Sequence, residues 1–158
     1  MNKERHVYWF DESSIHVWLQ QNKTWTGTGY EVTMPQQSTR GSGRTMYAAM
    51  GGEPFKIISQ TCETTDTDNT MLFLKHFVAS ITEPIHTVVL VADNHPAHHS
   101  KRVKEYCERV GLEIKFLPAY SSPLNPVERL WALVKHRWKK QISRMTAKYN
   151  HDNLTTDV

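Results

Sequence analysis

The apolar run TVVLVA at residues 87–92 is the feature that most limits how this chain can fold. A strand with apolar side chains on both faces must be covered on both sides, as central strands of α/β sheets are. Helical patterns flank it. Apolar residues recur at helical spacing from Asp68 to Ile81, and a second helix is predicted from Ser100, which caps it, to Gly111, which ends it.

The first 60 residues have a different pattern, in which short β-prone segments alternate with turn formers. A turn at Ser13–Ser14 is predicted to separate the first two strands, and GGEP to close a hairpin. The predicted strands are 6–10, 15–19, a short one near Trp25, 45–50 and 55–61, with a loop at 34–44. A strand at 112–117 and a helix from Pro126 complete an α/β fold. It is a ribonuclease H-like mixed sheet, an antiparallel meander followed by parallel strands, flanked by helices.

Three carboxylates stand where this fold places functional residues. Asp11 follows the first predicted strand, Asp93 follows the buried strand, and Glu128 lies at the start of the last helix. Sites in α/β sheets form where strands end. If the two strands are neighbours, the aspartates share a cleft, and the 34 residues between Asp93 and Glu128 allow the chain to return to it.

Converging carboxylates suit Mg²⁺ or Mn²⁺, which prefer oxygen ligands. Two such ions can clamp an in-line displacement at phosphorus, and this chemistry needs no covalent nucleophile on the protein. The sequence has no G-x-S-x-G motif, no P-loop and no cysteine beside a histidine.

Each carboxylate also has a structural interpretation. Asp11 with Glu12 suits a turn, and Asp93 can cap a turn with Asn94. Glu128 falls at the third helical position after an Asn125 N-cap, a capping-box arrangement. The two roles of Glu128 are compatible, because the helix dipole keeps a carboxylate at that position ionised, as a metal ligand must be.

Several blocks together resemble the DDE transposases of the mariner superfamily, especially the bacterial insertion-sequence members. They are YWFDESS, TWTGTGYEV, VADNHPAHHS and FLPAYSSPLNPVERLWALVK, the last with an extra serine in YSSPLNP, and the similarity runs from about residue 6 to 140. The resemblance implies that Asp11, Asp93 and Glu128 are the catalytic, metal-binding triad of a ribonuclease H-like fold with two Mg²⁺ or Mn²⁺ ions. It implies hydrolytic cleavage at transposon ends and transfer of the 3′-hydroxyl into target DNA, typically at TA.

Members of that family usually carry helix-turn-helix modules before the catalytic domain, and this sequence begins at the first catalytic strand. We therefore expect a catalytic half: an excised piece, a truncated copy or the second product of a split reading frame. The expected catalytic domain is 1–145, followed by a polar tail at 146–158. The alternatives are a structure-specific nuclease of the same fold and a non-catalytic DNA-binding remnant of a transposon.

Charge is distributed unevenly along the chain. Residues 1–100 carry a balance of −3, residues 101–148 carry +8, and the total is +3. A segment at +8 suits a polyanion, although solvated helix faces give the same pattern. We expect DNA as the partner and assign backbone contacts on the last helix to Lys135, Arg137, Lys139 and Lys140.

Histidines cluster after Asp93, at positions 95, 98 and 99. Zinc is disfavoured because no Cys/His pair elsewhere has a metal-binding spacing. His98 or His99 is instead expected at the mouth of the cleft, where it touches phosphate or orients a carboxylate, and His98 is assigned to DNA binding.

The remaining features indicate an intracellular protein. No stretch approaches the ~20 apolar residues of a membrane span, and the N-terminus lacks the apolar core of a signal peptide. Cys62 and Cys107 read as reduced thiols. We expect a homodimer in the cytoplasm of a bacterium or archaeon, associated with the nucleoid, without a membrane partner.

Overall fold

The computed structural model describes residues 5–16, 43–118 and 121–154, except the side chains of Ser122 and of 146–154. These residues form five strands, three α-helices and two short 3₁₀ turns. The strands are β1 (His6–Ile15), β2 (Arg44–Gly51), β3 (Lys56–Cys62), β4 (Val88–Ala92) and β5 (Glu113–Phe116); the helices are α1 (Thr67–Ser80), α2 (Lys101–Val110) and α3 (Val127–Leu154); the 3₁₀ turns are Ile85–Thr87 and Ser122–Leu124.

The strands make one mixed sheet with the order β3-β2-β1-β4-β5. β1, β2 and β3 pair antiparallel, whereas β4 pairs parallel with β1 and with β5. The predicted change from an antiparallel meander to parallel strands is confirmed. The predicted hairpin around GGEP is confirmed as the β2–β3 connection.

The two faces of the sheet carry different cores. The larger core joins Tyr8 and Phe10 of β1 to α1 and α2. The smaller core joins Trp9 of β1 and Ala48 of β2 to Val127 and Trp131 at the start of α3. Since side chains alternate along a strand, neighbouring residues of β1 belong to opposite cores.

β1 is longer than the sequence suggests. Ser13 and Ser14 pair with Met46 and Thr45 of β2, so the strand continues through Asp11 to Ile15. The predicted strand end before Asp11 and the turn at Ser13–Ser14 are therefore wrong. Most of the predicted strand at 15–19, the one near Trp25, and most of the loop at 34–44 lie outside the described residues.

The helix ends follow the predicted signals. The carboxylate of Asp66 accepts from the N–H of Asn69 before α1, and Ser100 accepts from Val103 before α2. Gly111 ends α2 in the left-handed conformation with φ 78°, which glycine adopts without steric cost. α3 continues across the proposed domain boundary at residue 145 as far as Leu154.

Among the described helices, none has both the length and the apolar character that crossing a bilayer requires.

Candidate active site

Asp11 lies in the middle of the sheet with its side chain towards α3. It is 9% exposed, and its Oδ2 accepts a hydrogen bond from Nε1 of Trp131 at 2.8 Å. Burial raises the pKa of Asp11 to about 7; the Trp131 hydrogen bond opposes this shift, while the nearby charges of Glu12 and Asp93 add to it. A buried carboxyl beside other carboxylates is the environment in which a cation is most favourable.

Asp93 directly follows β4, the strand that pairs parallel with β1. In the parallel β1–β4 pair, Trp9 is opposite Val91. Two residues further along each chain are Asp11 and Asp93, and adjacent strands are only about 4.8 Å apart. The charge of Asp93 adds to the raised pKa of Asp11, although by less than burial and the charge of Glu12 do. The prediction that these aspartates come from adjacent strands is thus correct.

The loop after β4 fixes the Asp93 side chain. Its Oδ1 accepts from the backbone N–H of His95 at 3.0 Å and lies 2.9 Å from Nδ1 of His98. The contact with His98 lowers the pKa of Asp93, although burial opposes the shift. Asp93 is therefore held as an anion beside the more easily protonated Asp11.

Glu128 lies in the first turn of α3, which is tied to β1 next to Asp11. Nδ2 of Asn125 donates to the carbonyl of Phe10 at 3.2 Å, while Oδ1 of the same residue accepts from the N–H of Val127 at 3.2 Å. Trp131, one turn further on, donates to Asp11. The exposed Glu128 stands between these two attachments, so the helix turn that carries it lies over the part of β1 that carries Asp11.

Glu12 is the residue of this region whose importance the sequence did not reveal. Its Oε2 lies 2.9 Å from Nε2 of His98, and its Oε1 lies 3.5 Å from Nδ1 of His95. Because β1 continues past Asp11, the side chains of Asp11 and Glu12 point to opposite faces of the sheet. Strand alternation was the one available signal, and the apparent turn at Ser13–Ser14 concealed it.

His98 is fully buried, with its ring packed on Phe10 at a centroid distance of 4.8 Å. Burial alone lowers a histidine pKa, but the contacts with Asp93 and Glu12 outweigh it and raise the pKa of His98 to about 9. A buried ring between two carboxylates does not reach a phosphate, so the assignment of His98 to DNA binding needs correction. The expectation that a histidine orients a carboxylate agrees with its position.

The family model described as DDE superfamily endonuclease matches residues 6–148. The chain belongs to this family. The match includes every strand and most of α3, and therefore the whole region around Asp11, Asp93 and Glu128. Comparison with curated protein sequences gave no significant match.

Solved structures share the fold of this chain. A Mos1 transposase paired-end complex with left transposon end matches with a TM-score of 0.64 and 17% identity, over 94% of this chain and 48% of that one. The Mos1 strand transfer complex matches with a TM-score of 0.67 and 19% identity, over 86% of this chain and 42% of that one. The magnesium complex of the HTLV-2 integrase catalytic core domain matches with a TM-score of 0.54 and 13% identity, over 84% of this chain and 68% of that one. The chain spans about half the length of the Mos1 chains, and the shared fold confirms the ribonuclease H-like architecture.

The lysines and the arginine assigned to DNA backbone contacts lie on α3. Arg137, Lys139 and Lys140 are exposed and Lys135 is half-buried. Trp138 on the same helix is half-buried and donates to the carbonyl of His16 at 3.2 Å. This contact holds α3 near the end of β1, where Arg137 and Trp138 line a pocket together with Ile15.

Proposed function

We propose that the chain is the catalytic domain of a metal-dependent DNA transposase of the mariner superfamily, from its bacterial insertion-sequence branch. It cleaves at transposon ends by hydrolysis and joins the 3′-hydroxyl to target DNA at TA. The observation that supports this proposal is that Asp11 lies on β1 and Asp93 directly follows β4, the adjacent parallel strand. The first turn of α3, which carries Glu128, is held at the same part of β1 by the hydrogen bonds of Asn125 and Trp131.

The residues fit a divalent metal site by their chemistry. Asp11, Asp93 and Glu128 offer carboxylate oxygens, the donors that Mg²⁺ and Mn²⁺ prefer. Asp11 and Asp93 interact unfavourably as two anions, and a cation between them removes that cost. When bound, a pair of such ions activates the attacking oxygen and stabilises the leaving oxygen of a phosphodiester.

The surrounding side chains hold these ligands in place. Trp131 orients Asp11 through Oδ2, and the contacts of His95 and His98 both fall on Oδ1 of Asp93. Asn125 fixes the position of Glu128 through the start of α3. Such support matters because a small misplacement of a reacting group costs a large part of the rate.

DNA is the proposed partner, both as transposon end and as target. Lys135, Arg137, Lys139 and Lys140 contact the phosphate backbone, and the chain acts as a homodimer in association with the nucleoid. Residues 1–145 form the catalytic domain and 146–158 a polar tail. The exposed cations of α3 and the balance of +8 over residues 101–148 support the DNA part of this proposal.

A nicking and joining assay tests the function. Supercoiled plasmid is incubated with the chain, Mn²⁺ and a short DNA duplex that has a free 3′-hydroxyl, and nicked plasmid and plasmid joined to the duplex are measured separately. We expect both products, and we expect Asp93→Asn to abolish both. Asp68→Asn is the matched control, because Asp68 on α1 is an exposed carboxylate paired with Arg102 of α2. Its activity should equal that of the wild type.

The products also separate the alternatives. Cutting without joining indicates a nuclease of the same fold, and salt-sensitive binding without cutting indicates a DNA-binding remnant. Equal activity in Asp93→Asn and the wild type would contradict the proposed site.

A further inference from the structure

Glu12, His95 and His98 form a second cluster of metal-ligating side chains, on the side of β1 away from α3. One ligand atom from each residue lies within 4.8 Å of the others. Glu12 and His98 belong to the face of β1 that packs on α1 and α2, as the contact of His98 with Phe10 shows. We propose that these three residues bind a transition-metal ion, with Zn²⁺ the best fit. This goes beyond the proposed function, whose ions take carboxylate oxygens alone.

The atoms that face each other in this cluster lack good partners in the described part of the structure. Oε2 of Glu12 and Nε2 of His98 are 2.9 Å apart and fully shielded from solvent, yet neither completes a hydrogen bond of normal geometry. Unsatisfied buried polar atoms are costly and therefore rare in folded proteins. A cation placed between the two atoms would satisfy both.

Each histidine has one ring nitrogen in the cluster. Nδ1 of His95 accepts a long contact from the backbone N–H of Ala97 at 3.4 Å, and a metal ion would replace this contact. Nδ1 of His98 lies 2.9 Å from Oδ1 of Asp93 and donates to it, so Nε2 becomes the ligand when the ion displaces its proton. A carboxylate behind a metal-binding histidine is the usual arrangement in zinc sites, where it fixes the ring and strengthens the ligand.

The spacing suits a small ion once the ligands move closer together. Zinc bonds to nitrogen and oxygen of about 2.0–2.1 Å at tetrahedral angles set neighbouring ligands roughly 3.3 Å apart. The two oxygens of Glu12 lie near different histidines: Oε1 is 3.5 Å from Nδ1 of His95, and Oε2 is 2.9 Å from Nε2 of His98. The three ligand atoms lie within 4.8 Å of one another, so a bound ion would draw them together. Two imidazoles and one carboxylate favour Zn²⁺ over Mg²⁺, which prefers oxygen.

The site is open to solvent at His95. The His95 side chain is 38% exposed, whereas those of Glu12 and His98 are 10% and 0% exposed, so an ion can enter past His95.

Binding of an ion would join β1 to the loop after β4. It would thereby fix the ring that contacts Asp93 and make the orientation of that carboxylate more rigid.

Cobalt provides a direct test, because Co²⁺ replaces Zn²⁺ and its visible spectrum reports the coordination number. The whole chain is freed of metal with a chelator and titrated with Co²⁺. We expect one equivalent of four-coordinate Co²⁺ that Zn²⁺ displaces. His95→Ala should weaken it by more than ~10-fold, since even residues behind a ligand contribute about 10–100-fold. His95 is partly exposed, so this variant should fold, and a thermal melt checks that it does. Glu12→Gln should have the same effect.

His99→Ala and Asp11→Asn are the controls that separate this site from its surroundings. His99 stacks on Phe116 at 3.9 Å, outside the cluster, and Asp11 belongs only to the proposed catalytic site. Both variants should keep the Co²⁺ spectrum. An unchanged spectrum in His95→Ala, its loss in Asp11→Asn, or its absence in the wild type would overturn the proposal. Plasmid nicking by the wild type tests the proposed function separately, so the two can fail independently.

Discussion

Two carboxylates with shielded side chains, Glu83 and Asp11, have opposite electrostatic environments. Glu83 contacts β1, and Asp11 belongs to β1. Glu83 accepts from the hydroxyl of Tyr8 at 2.8 Å and from Nζ of Lys56 at 3.1 Å. Burial raises its pKa, but these donors and the N–H of Thr82 outweigh burial and lower the pKa of Glu83 to about 2. Burial is the main reason that the pKa of Asp11 rises to about 7, and the charges of Glu12 and Asp93 add to the shift.

The difference shows which carboxylate is structural. Glu83 is surrounded by donors and a cation, so its charge stabilises the fold without any ligand. Asp11 is buried without a cationic partner in the described structure, and the charges of Glu12 and Asp93 make its ionised form still less favourable. Functional sites are where proteins accept such costs. We therefore expect changes at Asp11 to affect activity and changes at Glu83 to affect stability.

Asp11→Asn should have the largest effect of all on Mn²⁺-dependent nicking, a loss of several orders of magnitude. It should not destabilise the metal-free protein, because Asn still accepts from Trp131. A folded-state pKa of about 7 exceeds the unfolded value, so the contribution of Asp11 to stability is full at low pH and is lost as pH rises through 7. The variant should therefore gain stability relative to the wild type between pH 4 and 8. Nicking assays and thermal melts measure the two effects, and a strongly destabilised variant would contradict the comparison.

Glu83→Gln should have the opposite effects. Loss of the charge leaves Lys56 and Tyr8 with a weaker partner, and removal of one member of a buried charged contact costs about 2–3 kcal/mol. Urea unfolding at pH 7 measures this loss, and nicking below the melting temperature should be unchanged. Glu63→Gln is the matched control: its partner Arg44 lies at 2.6 Å, but the Glu63 side chain is 81% exposed. That exposed pair should contribute less than ~1 kcal/mol.

The acid dependence of stability sharpens the contrast. The pKa of Glu83 in the folded state, about 2, lies below the ordinary pKa of a glutamate. The charge of Glu83 therefore contributes fully to folding stability above the ordinary pKa, and this contribution is lost as pH falls towards 2. The wild type should exceed Glu83→Gln in stability at pH 7, and the gap should close by about pH 2–3. Urea unfolding at a series of pH values measures it. A gap that stays constant with pH would show that Glu83 stabilises by packing and not by charge.

The smallest expected effect concerns the exposed cations of α3. Changing Lys139 and Lys140 together to Ala should weaken binding to all DNA sequences alike. Each phosphate contact contributes about 0.9 to the salt dependence, so the slope of log affinity against log salt should flatten by about 1–2. Lys75→Ala on α1 is the control, because Lys75 is exposed but lies far from the +8 segment in sequence. A changed sequence preference, or an unchanged slope, would count against backbone contacts by α3.

Local signals in the sequence were sufficient for much of the fold. The ends of α2 at Ser100 and Gly111 were predictable because capping depends on neighbouring residues. The apolar run TVVLVA likewise predicted the buried strand β4. The continuation of β1 was missed because Ser13 and Ser14 resemble a turn, whereas their pairing with β2 depends on residues about 30 positions away.

The candidate site divides in the same way. Asp11 and Asp93 were recognisable because each is tied to a β-strand. The contacts of Glu12 with His98 and of Glu83 with Tyr8 join residues 86 and 75 positions apart, and no local pattern in the sequence predicts them.

A crystal structure of the chain grown with Mn²⁺ tests the central claim most directly. The claim is that Asp11, Asp93 and Glu128 bind the same metal centre. We predict anomalous peaks for Mn²⁺ with oxygens of these three carboxylates at about 2.0–2.2 Å, close to the distances typical of such ions. The proposed role of Glu128 requires its carboxylate to reach the centre from the first turn of α3. Mn²⁺ bound without Glu128, or a Glu128 side chain directed away from the two aspartates in the metal-bound crystal, would contradict the account.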